Sequence, residues 1–77
     1  MTPAEEIRFI AREHEFATST EIALALLASR QLVAAVLGRS ISDRDHAEHT
    51  RRGREIDWLQ VDIMRKRIAE RRQRLAA

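Results

Sequence analysis

Seventy-seven residues with no cysteine, no tyrosine, one proline and two glycines exclude a disulfide scaffold, a thiolate metal site and the strand-rich sandwich and barrel folds. Fourteen basic against twelve acidic residues leave a formal net charge of +2, and at this length a folded chain hides only about 60% of the surface it exposes when unfolded. The sequence is therefore read as one domain, residues 1–77, mainly α, that completes its core through long packed helices or against partner chains.

The charge is unevenly placed. Residues 1–37 carry three Arg against five Glu, residues 38–50 two Arg against three acids, and residues 51–77 nine basic groups against four acidic ones. The carboxyl-terminal segment is thus the part expected to meet an acidic partner, nucleic acid or protein. The amino terminus lacks a basic-then-apolar signal layout, and the weakly polar stretch from Ile22 to Ala28 is too short to cross a bilayer. The expectation is a soluble chain, intracellular or particle-bound, with no membrane contact.

In chain order, Thr2-Pro3-Ala4-Glu5 sets a capping hydroxyl, a proline at the first helical position and a carboxylate at capping-box spacing. Ile7, Ile10, Ala11 and Ala17 recur near the helical period, with charged residues on the other face. Thr18-Ser19-Thr20-Glu21 offers a second capping box. A continuous or gently kinked helix over residues 3–30 is favoured, since hydroxyl residues can ride through a helix at modest cost.

Residues 31–42 have two readings. Either the helix runs to Leu37 and Gly38 supplies a left-handed cap, or Gln31–Val36 and Arg39–Ser42 are the arms of a small β-hairpin turning at Leu37-Gly38. Ser42 or Asp43 then caps a helix over 43–74. Glu48 with Arg52 and Asp62 with Lys66 are acid-first pairs along it, and Gly53 is its weak point. Ala47, Arg54, Trp58, Val61 and Ile68 form one stripe and Ile56, Leu59 and Ile63 a second, with Trp58 assigned to packing. The basic tail spans 65–77.

His46, His49, Asp43 and Asp45 are the one group that could ligate a metal, but the histidine spacing is not that of a zincin, and a polar helix start accounts for them. No nucleophile has a base partner and no glycine-rich phosphate loop is present. Neither an enzyme nor a cofactor is expected. The strongest signal is the tail itself. Arg65, Lys66, Arg67, Arg71, Arg72 and Arg74 are candidate contacts to a partner or to DNA, and the thirteen arginines to one lysine of the whole chain favour forked bonds to carboxylate or phosphate. No recognition-helix layout stands out, so specific reading of bases is not expected.

Gly38-Arg39-Ser40-Ile41-Ser42-Asp43-Arg44-Asp45, entered from an apolar run and followed by Ile56, Trp58 and Leu59, resembles small tailed-phage proteins related to the gpW head-completion family over roughly residues 22–63. The position of His46 departs from the pattern, and the arms of the hairpin are rich in alanine. The resemblance implies a helix, a hairpin, a second helix and a basic tail, in a structural subunit of the head–tail connector. It would form a homo-oligomeric ring that binds the portal and neighbouring subunits, with nonspecific contact to DNA. Leu32, Val33, Val36, Leu37, Ile41 and Trp58 would then lie in the core or near subunit contacts. The alternative is a small helical nucleic-acid-binding or regulatory protein that grips phosphates with its basic carboxyl-terminal helix.

Overall fold

The computed structural model describes residues 2–39 and 56–76. The chain is mainly α, with four helices among the described residues: α1 (Pro3–Glu13), α2 (Ser19–Leu26), α3 (Arg30–Leu37) and α4 (Trp58–Ala76). Helix α1 starts as the sequence dictates. The Thr2 hydroxyl accepts from the Glu5 amide at 3.2 Å, and Pro3 fills a position whose N–H would be unpaired in any case.

The single helix expected over 3–30 is divided, and each break has a local cause. The capping box at Thr18 forms in full. Its hydroxyl accepts from Glu21 N at 3.1 Å while Glu21 Oε1 accepts from Thr18 N at 2.9 Å, so a new helix starts there and α1 stops at His14. The second break follows α2. Leu27 takes a left-handed backbone, φ 55° and ψ 39°, and Leu27 N and Ala28 N both donate to the Ala23 carbonyl. Ser29 then caps α3 by accepting from Leu32 N at 3.1 Å.

Helix α3 closes in the same manner as α2. Gly38 is left-handed at φ 67°, and the amides of Gly38 and Arg39 turn back to Ala34 O, the Gly38 amide also to Ala35 O. The hairpin arm expected as one alternative from Gln31 to Val36 is therefore helix, and the glycine cap of the other alternative is present on a helix that begins afresh at Arg30. The Arg39 guanidinium donates to Ala17 O at 3.0 Å, tying the end of α3 to the joint between α1 and α2.

The helix expected over 43–74 starts, in its described part, only at Trp58, because residues 56 and 57 are not helical. Asp57 caps it, its Oδ1 accepting from Gln60 N at 3.1 Å. Ile41, the cap at Ser42 or Asp43, the His46 group, the Glu48–Arg52 pair and Gly53 lie outside the described residues. Asp62 meets Arg65 at 3.9 Å, the preceding neighbour of the Lys66 expected as its partner.

One core joins the four helices: Ile7 and Ile10 from α1, Ile22, Ala23 and Ala25 from α2, Val33 from α3, and Val61, Met64 and Ile68 from α4. Helices α3 and α4 do not touch; α1 and α2 stand between them. Trp58, expected in the core, is 55% exposed, and Leu59 and Ile63 are exposed as well. Trp58 opens α4, whose root sits at the first turn of α2, and the buried residues of α4 begin only at Val61.

At that junction the side chain of Glu21 is fully buried and bridges two segments. While Oε1 serves the capping box, Oε2 accepts from Asp57 N at 2.8 Å. No single helix among the described residues is long and apolar enough to cross a membrane. The α2–α3 pair passes such a test only together, across a 119° bend, and its apolar side faces the core.

Candidate nucleic-acid interface

Helices α2 and α3 are joined by the three residues Leu27, Ala28 and Ser29, and the axis turns through 119° between them. Two short helices at about 90–120° across a turn of three or four residues are a helix-turn-helix, the arrangement that presents its second helix to the major groove of DNA. Helix α3 has the matching polarity of faces. Val33 and Ala34 are buried, and Val36 and Leu37 are half-buried against the core. Gln31, Leu32, Ala35 and Gly38 face outward. An α-helix with its side chains is about 10–12 Å across, which the roughly 12 Å wide groove admits.

No acidic residue lies in α3, so its positive end is not neutralised from within, and Arg30 stands in its first turn. On the flank toward α1, Arg8 and Arg12 line a shallow groove of about 440 Å³ together with Ala11, Glu15 and Leu37. Of α3, that groove meets the half-buried Leu37, and the Glu15 carboxylate shares its lining with the two guanidinium groups.

The arginine tail is arranged differently from the expectation. Arg67 forks onto Glu13, Nε to Oε2 and Nη2 to Oε1 both at 2.9 Å, and its Nη1 meets Glu70 at 3.0 Å. Arg72 forks onto Glu6 at 2.6 and 2.9 Å. Arg71 lies 4.4 Å over the centroid of Phe9 and donates to Glu5 O at 3.4 Å. Arg65 donates to Leu24 O at 3.2 Å. These pairings run Glu13, Phe9, Glu6 along α1 as α4 runs Arg67, Arg71, Arg72, so the two helices are antiparallel.

The hydrogen bonds from Arg72 and Arg67 hold the carboxyls of Glu6 and Glu13 below their ordinary value, against a smaller opposing effect of burial, and raise the two guanidinium values in return. Among the described residues, Lys66 and Arg74 have no carboxylate in contact. Of the residues expected at subunit contacts, Leu32 and Trp58 are exposed, Val36 and Leu37 are half-buried, and Val33 belongs to the core.

Gln31, Ala35, Arg30, Arg8 and Arg12 were not legible as a site, because the turn that organises them carries a leucine where a glycine would mark it. Among the described residues no group of three or more His, Asp or Glu is placed to hold a metal ion. Comparison with protein-family models, with curated proteins and with solved structures finds no match.

Proposed function

We propose that this chain is a double-stranded-DNA-binding protein that lays α3 in the major groove. The observation that carries the reading is the 119° α2–α3 pair, whose second helix buries its apolar side and turns Gln31, Leu32 and Ala35 outward. A glutamine amide pairs in two places with an adenine edge, and Leu32 and Ala35 suit the methyl group of thymine. Arg30, Arg8 and Arg12 are placed to neutralise flanking phosphates, which position a protein on the duplex without reading it. This reading places the duplex contact at the helix-turn-helix, apart from the carboxyl-terminal arginines expected to meet a partner or DNA.

The test is selection of bound sequences from a random duplex pool, followed by fluorescence anisotropy. Wild type enriches a short site. Ala35→Glu abolishes the enrichment while keeping its circular dichroism, and Gln31→Ala weakens the selected site by about 1–3 kcal/mol with relaxed choice at one base pair. Equal binding by wild type and Ala35→Glu would refute the reading.

A second reading is a ring-forming connector subunit of a tailed phage that binds a portal, as the resemblance implies. It is favoured by the exposed Phe16, Leu27, Trp58, Leu59 and Ile63, an apolar set suited to protein contacts. The mass of the particle in solution, alone and with a portal oligomer, distinguishes it, since a ring is many times the 8.9 kDa of one chain.

A further inference from the structure

Helix α4 changes character along its length. Val61, Met64 and Ile68 are buried, but no side chain of α4 beyond Ile68 is. What fastens the last two turns to α1 is a set of guanidinium contacts: Arg67 on Glu13, Arg72 on Glu6, and Arg71 over Phe9. The guanidinium side of these pairs is open to solvent, the side chains of Arg67 and Arg72 being 39% and 56% exposed, while their partners Glu13 and Glu6 are 32% and 12% exposed. Both arginines use the forked geometry that fits two oxygens of a phosphate as well as two of a carboxylate.

We propose that the end of α4 is a second nucleic-acid contact held shut by α1: Glu6 and Glu13 occupy Arg72 and Arg67 as stand-ins for phosphate, and a nucleic-acid backbone displaces them. On opening, the two carboxylates return to water, and each guanidinium exchanges one pair of oxygens for another. Lys66, Arg71 and Arg74 then join Arg67 and Arg72 on an arm whose one acid beyond Arg65 is Glu70. Release of counterions from the polyanion drives the exchange, which a single small anion could not supply. The inference does not rest on the reading of α3, which lies across α1 and α2 from α4.

The probe is a poly-dT strand, which has phosphates and no major groove. The double variant Glu6→Gln/Glu13→Gln is compared with Glu5→Gln/Asp62→Asn, which makes the same change in net charge away from the forked pairs. The first binds poly-dT about ten-fold more tightly than the second, because two charge-assisted forks no longer have to be broken. Equal affinities would overturn the proposal, showing a response to net charge alone. On wild type, the Arg67 and Arg72 Nε–H resonances shift together as poly-dT is added. If those two signals stay fixed while other residues respond, or if nothing binds, the arm is not a nucleic-acid contact, whatever the stability of the variants.

Discussion

Leu27 is 87% exposed and holds a left-handed backbone, a conformation that costs a residue with a Cβ about 1–2 kcal/mol. Gly38 performs the same closure at the end of α3 without that cost. Leu27→Gly is therefore expected to stabilise the fold by roughly 0.5–1 kcal/mol after the added freedom of glycine in the unfolded chain is subtracted. In a domain of this size that is a rise of a few degrees in Tm, read by thermal melting; a fall would mean that the turn does not hold its leucine as described. Leu27→Val goes the other way, because a β-branched side chain crowds that backbone further. Glu21 is the opposite kind of residue, a charged side chain with nothing exposed and two backbone amides depending on it. Glu21→Ala strips the partner from Thr18 N and Asp57 N together and is expected to cost roughly 2–5 kcal/mol in urea unfolding, as buried donors left unpaired do. Glu21→Gln keeps one acceptor oxygen and loses less.

The helices show how far patterns along a chain reach. Mainly-α character, the cap at Thr2 and the glycine ending at Gly38 are readable because each rests on one residue type with one strong local preference. The capping box at Thr18 is equally visible, yet hydroxyl residues also ride through helices, and the pattern along the chain does not show that both of its bonds form and start a new helix. The turn after α2 carries no such signal, since leucine is a good helix former and nothing beside it marks a reversal. A long helix was therefore the reasonable reading, and the recognition surface stayed hidden inside it. The pairing of the tail was not legible either: a count of arginines does not say where their counter-charges lie, and Glu6 and Glu13 are more than fifty residues away in sequence. The α1–α4 contact is also titratable. The two carboxyls are held below their ordinary value of 4.5, so their stabilising effect is complete above that value and is lost as pH falls through their lowered folded values. From pH 7 to pH 3, the Tm of wild type is expected to fall more than that of Glu6→Gln/Glu13→Gln. Parallel pH profiles would show that the forks add nothing to the fold.

At the scale of the molecule, two surfaces face different ways. The outward residues of α3 carry no acid, with Arg30 in its first turn and Arg8 and Arg12 on the neighbouring α1, while the far side of α1 is met by α4, where Arg67 and Arg72 pair with Glu13 and Glu6. Net charge therefore understates what the first surface can attract and overstates what the second offers while closed. The small number of guanidinium groups near α3 sets an expectation for duplex binding. With about three phosphates neutralised, log K should fall with log salt at a slope near −3, shallower than six tail residues acting together would give; anisotropy titrations from low to physiological salt measure it. The bond from Glu21 to Asp57 gives this layout one more property. It pins the root of a nineteen-residue rod to the first turn of α2, leaving the other tip outside the core. Over about 28 Å of helix, a tilt of roughly 10° at the pinned end swings the tip by about 5 Å. A spin label at position 75 would thus work as a needle on a dial, magnifying at the tip any small rotation at the Glu21–Asp57 root.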